Sequence, residues 1–94
     1  MRNFRLQLTK SAGDDLDSVS ADEREKILKD IKSLSANPLS FGINIKKLRG
    51  FKPPLYRLRS GDHRVLYQLQ GDIVTIMRVI DRKDLEKIIK RIKL

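Results

Sequence analysis

Cysteine and tryptophan are absent from this sequence, and histidine occurs only once, as His63. Without cysteine the chain has no disulfide framework and no thiolate zinc site, and a single histidine cannot form a metal-binding histidine cluster. We therefore expect no metal ion and no other cofactor.

Long apolar runs and prolines are also scarce. Residues 1–10 alternate apolar and polar side chains, and no stretch approaches the length needed to span a bilayer. With 39% hydrophobic residues, 35% charged residues and three prolines, the composition is typical of a folded domain. We expect one cytoplasmic domain over residues 1–94, with a small core because the chain is short.

Acidic side chains are scarce in the middle of the chain, where most of the net charge of +9 lies. Residues 1–44 carry seven basic and seven acidic side chains, whereas residues 45–64 carry seven basic side chains and one acid, Asp62. The basic residues of this segment are Lys46, Lys47, Arg49, Lys52, Arg57, Arg59 and Arg64. Such an excess attracts a polyanion, with nucleic acid the leading candidate, and a solubilising charged surface is the alternative.

Hydrophobic periodicity predicts an α+β domain with the element order β-α-α-β-β-β-β-α. The clearest helix begins at Ser20, which has capping-box spacing with Glu23, and ends before Pro38. Asp81 or Asp84 is the expected cap of the last helix. The other predicted elements are strands near 4–9, 45–49, 55–60, 63–70 and 73–80, helices near 12–19 and 85–92, and a loop over 35–44.

The pair Gly61-Asp62 predicts a tight hairpin turn. If the turn is centred there, residues whose numbers sum to 123 face each other, and facing residues share one side of the sheet. One side then holds apolar and tyrosine side chains and becomes the core under the principal helix. Its members are Tyr56, Leu58, Val65, Tyr67 and Leu69.

The opposite side of the same hairpin places Arg59 against Arg64, with Arg57 diagonal to Arg64. Like charges directly opposite each other destabilise a sheet, by up to about 1 kcal/mol. Asp62 is the only acid between residues 31 and 71, so neutralisation from within this segment is limited. An anionic ligand explains the cluster better than a solvated face does, because arginine forks bind phosphate oxygens in pairs. A one-residue slip of the register would exchange the two faces.

Three segments resemble the RelE/ParE superfamily of type II toxins: KLRG at 47–50, YRLRSGDHRVLY at 56–67 and RVIDRKD at 78–84. The resemblance implies two helices packed on one side of an antiparallel sheet whose other side is concave and basic. It further implies one of two activities. RelE-like members cut messenger RNA in the ribosomal A site without a metal, and ParE-like members inhibit DNA gyrase. Both are held inactive by a partner antitoxin in a hetero-oligomer.

The resemblance also assigns roles to individual residues. Arg64 matches the arginine that contacts the scissile phosphate in RelE-like nucleases, and Arg57, Arg59 and Arg82 match other basic positions of the catalytic surface. Two positions depart from the family pattern, because Asp81 and Glu86 stand where histidine and tyrosine are frequent. The residues expected to extend the RNA-binding surface are Lys46, Lys47, Arg49, Lys52 and Lys83.

The sequence does not identify the groups that transfer protons. The candidates are His63, Lys52, Lys83 and the two tyrosines, and His63 has the parity of the core face. Three functions remain: a ribosome-dependent endoribonuclease, which we favour, a gyrase inhibitor, or a weakened relative that only binds its antitoxin. The last helix either packs on the domain, which we expect, or leaves a groove for which an antitoxin helix competes.

Overall fold

The computed structural model describes residues 3–39 and 44–93. The predicted loop over 35–44 therefore lies partly outside the described residues. The elements are β1 (Arg5–Leu8), α1 (Lys10–Asp17), α2 (Ala21–Ser33), β2 (Ile45–Leu48), β3 (Leu55–Ser60), β4 (His63–Gln70), β5 (Ile73–Asp81), a 3-10 turn (Arg82–Asp84) and α3 (Leu85–Lys93). This order confirms the predicted one.

The five strands form one sheet in the order β1-β5-β4-β3-β2. Strands β2 to β5 are antiparallel neighbours, as expected, but β1 runs parallel to β5, with Arg5 opposite Ile73. The sheet is therefore mixed. The alternation of apolar and polar residues along β1 predicts a strand but not whether it runs parallel or antiparallel to its neighbour, since that neighbour lies more than sixty residues away in the sequence. Leu8, expected to be half-buried, is 45% exposed on this edge strand.

Helix α2 begins where its capping box predicts. The Ser20 hydroxyl accepts a hydrogen bond from the Glu23 backbone N–H at 3.2 Å, and the Glu23 carboxylate accepts one from the Ser20 backbone N–H at 3.4 Å. These bonds satisfy N–H groups that a helix start otherwise leaves without partners. Ile27, Ile31 and Leu34 then lie on the buried face of the helix.

Helices α1 and α2 cover one face of the sheet, which we call the helix face. Their buried side chains pack against alternate residues of the strands. The core there contains Ala12, Leu16, Ile27, Ile31, Leu34, Ile45, Tyr56, Leu58, Val65, Tyr67, Val74, Ile76 and Val79. No helix within the described ranges is long and apolar enough to cross a membrane.

Helix α3 packs on the other face of the sheet, which confirms the expected docking of this helix on the domain. Ile88 is 8% exposed and joins Leu55, Leu66 and Ile80 in a second apolar cluster. Part of the second face is therefore a small core beneath α3, which lies beside the expected arginine positions. The same alternation of residues on β3 and β4 that produces the arginine positions also places Leu55 and Leu66 there.

Candidate nucleic-acid interface

The hairpin of β3 and β4 has the register that the Gly61-Asp62 turn predicts. Gly61 adopts φ +59°, a left-handed conformation that glycine takes without a steric penalty. Tyr56 lies opposite Tyr67 and Arg59 lies opposite Arg64. The faces are therefore the predicted ones, with the tyrosines on the helix face and the arginines on the other side, here called the arginine face.

Four arginines on the arginine face form what we call the arginine cluster, in which the charges of three act on the fourth, Arg64: its members are Arg57, Arg59, Arg64 and Arg82. Burial lowers the pKa of Arg64, and the positive charges of Arg59, Arg57 and Arg82 lower it further. The carboxylate of Asp62 acts in the opposite direction but is the smallest of these influences. The structure thus brings together the four arginines that the resemblance singled out, with Arg57, Arg59 and Arg82 near enough to Arg64 to affect it electrostatically.

Arg64 is held against the turn that precedes it. Its Nη1 donates to the backbone carbonyl of Gly61 at 3.0 Å and to that of His63 at 2.9 Å. These contacts reduce the rotamer freedom of a long side chain, so less entropy is lost when the guanidinium binds an anion.

The end of β5 docks on the same turn. The backbone N–H of Arg82 donates to the carbonyl of Asp62 at 2.9 Å. This bond carries the chain from β5 into the 3-10 turn directly beside the hairpin tip. Arg82, far from Arg64 in sequence, joins the arginine cluster for this reason.

The predicted RNA-binding residues outside the arginine cluster fall into three groups. Lys46 lies opposite Arg57 on the arginine face, and Lys83 is exposed in the 3-10 turn next to Arg82. Lys47 lies opposite Tyr56, so strand alternation directs it to the helix face, and the structure does not bring it to the arginine cluster. Arg49 and Lys52 are exposed in the turn between β2 and β3.

His63 and the tyrosines lie on the helix face. The His63 side chain is 14% exposed, and its Nδ1 is 3.9 Å from Oε2 of Glu23 on α2. The Tyr67 hydroxyl donates to the carbonyl of Pro38 at 2.6 Å, and burial, with a smaller effect of Tyr56, raises its pKa well above the ordinary value. The two tyrosine rings stack with centroids 5.4 Å apart. None of these groups faces the arginine cluster.

A salt bridge between α1 and β5 was not foreseen from the sequence. Asp15 accepts hydrogen bonds from Arg78 at 2.7 and 3.1 Å and from the backbone N–H of Val79 at 2.9 Å. The side-chain bond to Asp15 raises the pKa of Arg78. The sequence does contain one sign of this salt bridge. Arg78 is the one charged residue in the apolar segment 73–80, and a charge within a buried strand needs an acidic partner. The bridge fixes α1 on the strand that leads to Arg82.

Residues 6–86 match the protein family described as the ParE toxin of the type II toxin-antitoxin system parDE. The chain belongs to the RelE/ParE toxin family. No curated protein sequence matches it.

Solved structures of RelE complexes have the same fold as this toxin. A chain of the archaeal RelE–RelB complex from Pyrococcus horikoshii OT3 is 25% identical with a TM-score of 0.74, covering 85% of the toxin and 96% of that chain. A chain of the RelB–RelE complex from Methanococcus jannaschii is 28% identical with a TM-score of 0.71, covering 87% and 96%. A chain of the intact Escherichia coli RelBE complex is 26% identical with a TM-score of 0.68, covering 83% and 95%.

Two residues of this toxin differ from the family pattern, Asp81 and Glu86. Asp81 has a local structural role, and Glu86 is exposed. Asp81 caps the 3-10 turn, accepting a hydrogen bond from the backbone N–H of Lys83 at 2.9 Å. That bond is the main reason why the pKa of Asp81 lies below its ordinary value. Glu86 is exposed in the first turn of α3. Of the two carboxylates, that of Asp81 interacts electrostatically with Arg82.

Proposed function

We propose that this toxin cleaves messenger RNA on the ribosome without a metal ion. The observation that carries the proposal is the arginine cluster, in which Arg59 lies directly opposite Arg64, and the pKa of Arg64 is lowered first by burial and then by the charges of the other three arginines. Folding alone does not favour such an arrangement. A bound phosphodiester removes the repulsion, because its oxygens accept hydrogen bonds from several guanidinium groups at once.

The proposed reaction is attack of a ribose 2′-oxygen on the adjacent phosphorus. The 2′-hydroxyl loses its proton to a base as a P–O bond forms to the 2′-oxygen, and the bond to the 5′-oxygen breaks as an acid protonates that oxygen, while negative charge accumulates on the phosphate oxygens. The products are a 2′,3′-cyclic phosphate and a 5′-hydroxyl. Fixed cationic donors stabilise that charge, and removal of one such donor typically slows a reaction about 10²- to 10³-fold. Arg64 is the central donor in this scheme, with Arg57, Arg59 and Arg82 around it.

Proton transfer needs groups other than arginine, because arginine stays protonated at accessible pH. His63, Tyr56 and Tyr67 lie on the helix face, which argues against a role for them. The exposed amines of Lys52 and Lys83 remain as protein candidates. We infer that ribosomal groups complete the proton transfers, which accounts for the proposed dependence on the ribosome.

The proposed partner is an antitoxin encoded for this toxin. The similar structures from P. horikoshii, M. jannaschii and E. coli are all complexes with RelB. An acidic antitoxin segment complements the arginine face, because opposite potentials attract across an interface. Occupation of that face by such a segment blocks RNA and forms an inactive hetero-oligomer.

Inhibition of DNA gyrase is the second candidate function. It is favoured by the match to the ParE family and by Asp81 and Glu86, which stand where nucleases of the superfamily often carry histidine and tyrosine. A gyrase inhibitor needs no proton-transfer groups, so the position of His63, Tyr56 and Tyr67 on the helix face is compatible with this activity. Binding to an antitoxin without either activity is the third reading.

The decisive experiment is cleavage of a translated message on programmed ribosomes. We expect wild-type protein to cut the ribosome-bound message but not naked RNA, and Arg64→Ala to cut about 10²- to 10³-fold more slowly. Arg5→Ala is the matched control, since Arg5 is an exposed arginine on the far edge strand β1. Circular dichroism verifies that each variant folds.

Absence of cuts by folded wild-type protein would contradict the nuclease proposal. A parallel gyrase supercoiling assay then separates the two remaining readings: inhibition supports a ParE-like activity, and no inhibition leaves an antitoxin-binding relative. Cleavage that is equal in wild type and Arg64→Ala would contradict the assigned role of the arginine cluster.

A further inference from the structure

A groove of about 570 Å³ lies at the turn between β2 and β3. Six consecutive residues line it, from Lys47 to Lys52, and we call it the Phe51 groove. Gly50 adopts φ +87°, which turns the chain back on itself and which a side chain at this position would disfavour. The volume of the groove falls within the range of about 300 to 1,000 Å³ that small-ligand sites occupy.

The floor and the rim of the Phe51 groove differ in chemistry. Leu48 and Phe51 line the floor, and both are half-buried because they also pack against the second apolar cluster beneath α3. Arg49 and Lys52 are exposed at the rim, whereas Lys47, which also lines the groove, is directed to the helix face by strand alternation. The sequence has no acidic residue from position 31 to position 61, so the loop and its two flanking strands β2 and β3 contribute no negative side-chain charge to the rim.

The groove is continuous with the arginine face. Lys46 lies opposite Arg57, and two residues further along β2 Leu48 lies opposite Leu55. Residues two apart on a strand share one side of a sheet. An RNA strand that leaves the arginine cluster along Arg57 and Lys46 therefore reaches the groove without crossing to the helix face.

We propose that the Phe51 groove holds one unpaired nucleobase of the RNA strand whose phosphate lies in the arginine cluster. This inference rests on the proposed function. The base stacks on the half-buried ring of Phe51, and the cationic rim binds the flanking phosphates. An aromatic ring surrounded by basic side chains is the arrangement with which proteins hold single-stranded RNA, because every base has a π face and every nucleotide a phosphate.

The test measures binding of the full chain to a short 2′-O-methyl RNA, which lacks the nucleophilic hydroxyl and stays intact. An abasic site and, separately, 2-aminopurine are moved through the oligonucleotide one position at a time, at low salt to strengthen weak binding. We expect an abasic site at one position to weaken binding by roughly five- to a hundredfold. At that position 2-aminopurine fluorescence is expected to fall as the base stacks.

Three variants assign the effect to the ring. Phe51→Leu keeps an apolar side chain against the cluster but removes the π face, so it should bind intact and abasic RNA equally and leave 2-aminopurine bright. Phe51→Tyr should retain the wild-type difference. Phe4→Leu is the matched control, since Phe4 is a half-buried phenylalanine on the helix-face core. Thermal unfolding verifies that each variant is folded.

The outcomes separate the groove from the proposed function. If wild type binds every abasic oligonucleotide as tightly as the intact one, and Arg64→Ala abolishes binding, the arginine cluster stands and the groove proposal is overturned. If folded wild type binds no RNA at low salt, both the proposed function and the inference fail.

Discussion

The two faces of the β3–β4 hairpin are built from alternate residues of the same strands, yet they differ in almost every property. On the helix face Tyr56, Leu58, Val65 and Tyr67 are at most 6% exposed and pack beneath α2. On the other face the same strands carry the arginine cluster beside a small apolar patch under α3. Strand alternation thus separates the main core from the arginines that we propose bind RNA.

The magnitudes show why one hairpin can carry both faces. Burial of a large apolar side chain stabilises a fold by about 1.5 to 3 kcal/mol, whereas two like charges opposite each other on a sheet destabilise it by up to about 1 kcal/mol. The helix face therefore offsets the repulsion on the arginine face several times over. Substitutions on the two faces should consequently have opposite signatures, with stability lost on one and binding lost on the other.

The largest effect on stability is expected from Asp15, which joins the helix side to β5. Asp15→Ala removes two hydrogen bonds to Arg78 and one to the Val79 backbone, and the free energy of unfolding should fall by about 1.5 to 3 kcal/mol because these bonds involve charged, partly buried groups. Urea denaturation measures the change.

Asp14→Ala is the matched control for this bridge. Asp14 is the adjacent, exposed carboxylate on the same helix, and its removal should change stability by less than about 0.5 kcal/mol. Equal losses in the two variants would show that the bridge adds nothing beyond a helix charge. The contrast between the helix side and the arginine face would then rest on apolar packing alone.

A second, smaller effect is expected at Tyr67, the tyrosine closest to the middle of the core. Tyr67→Phe removes the hydrogen bond to the Pro38 carbonyl and should lower the free energy of unfolding by about 0.5 to 1.5 kcal/mol. Ribosome-dependent cleavage by the folded variant should be unchanged, because the hydroxyl lies on the helix face. Loss of cleavage with stability intact would place this hydroxyl at the RNA and break the separation of the faces.

Features set by neighbouring residues were predictable from the sequence. The Gly61-Asp62 turn predicted the pairing of β3 with β4 residue by residue, and the spacing of Ser20 and Glu23 predicted the start of α2. Both signals act over a few residues, where backbone geometry and side-chain reach leave few alternatives. The joint position of Arg57, Arg59 and Arg64 followed from that register.

Features set by distant contacts were not predictable in the same way. The parallel pairing of β1, the bridge from Asp15 to Arg78 and the apolar cluster beneath α3 each join segments remote in sequence. Only the family resemblance predicted that Arg82 lies at the arginine cluster. Its position depends on a backbone hydrogen bond to Asp62, which sequence patterns do not reveal. Lys47 shows the converse, because it was expected on the RNA-binding surface and strand alternation directs it to the helix face.

The smallest predicted effect has the opposite sign. Arg59 is exposed and lies directly opposite Arg64, so Arg59→Gln relieves repulsion and should raise the free energy of unfolding by several tenths of a kcal/mol at low ionic strength. The gain should shrink in about 1 M salt, where the Debye length is about 3 Å. Urea denaturation at both salt concentrations measures it, while the same variant should bind RNA more weakly.

Arg5→Gln serves as the control for Arg59→Gln, because Arg5 is also exposed but lies opposite the uncharged Ile73 on the far edge of the sheet. Its effect on stability should be negligible at either salt concentration. A loss of stability in Arg59→Gln at low salt would mean that the Arg59 stem stabilises the sheet more than its charge destabilises it. The arginine face would then contribute to folding, and its charge would no longer require a bound anion as its explanation.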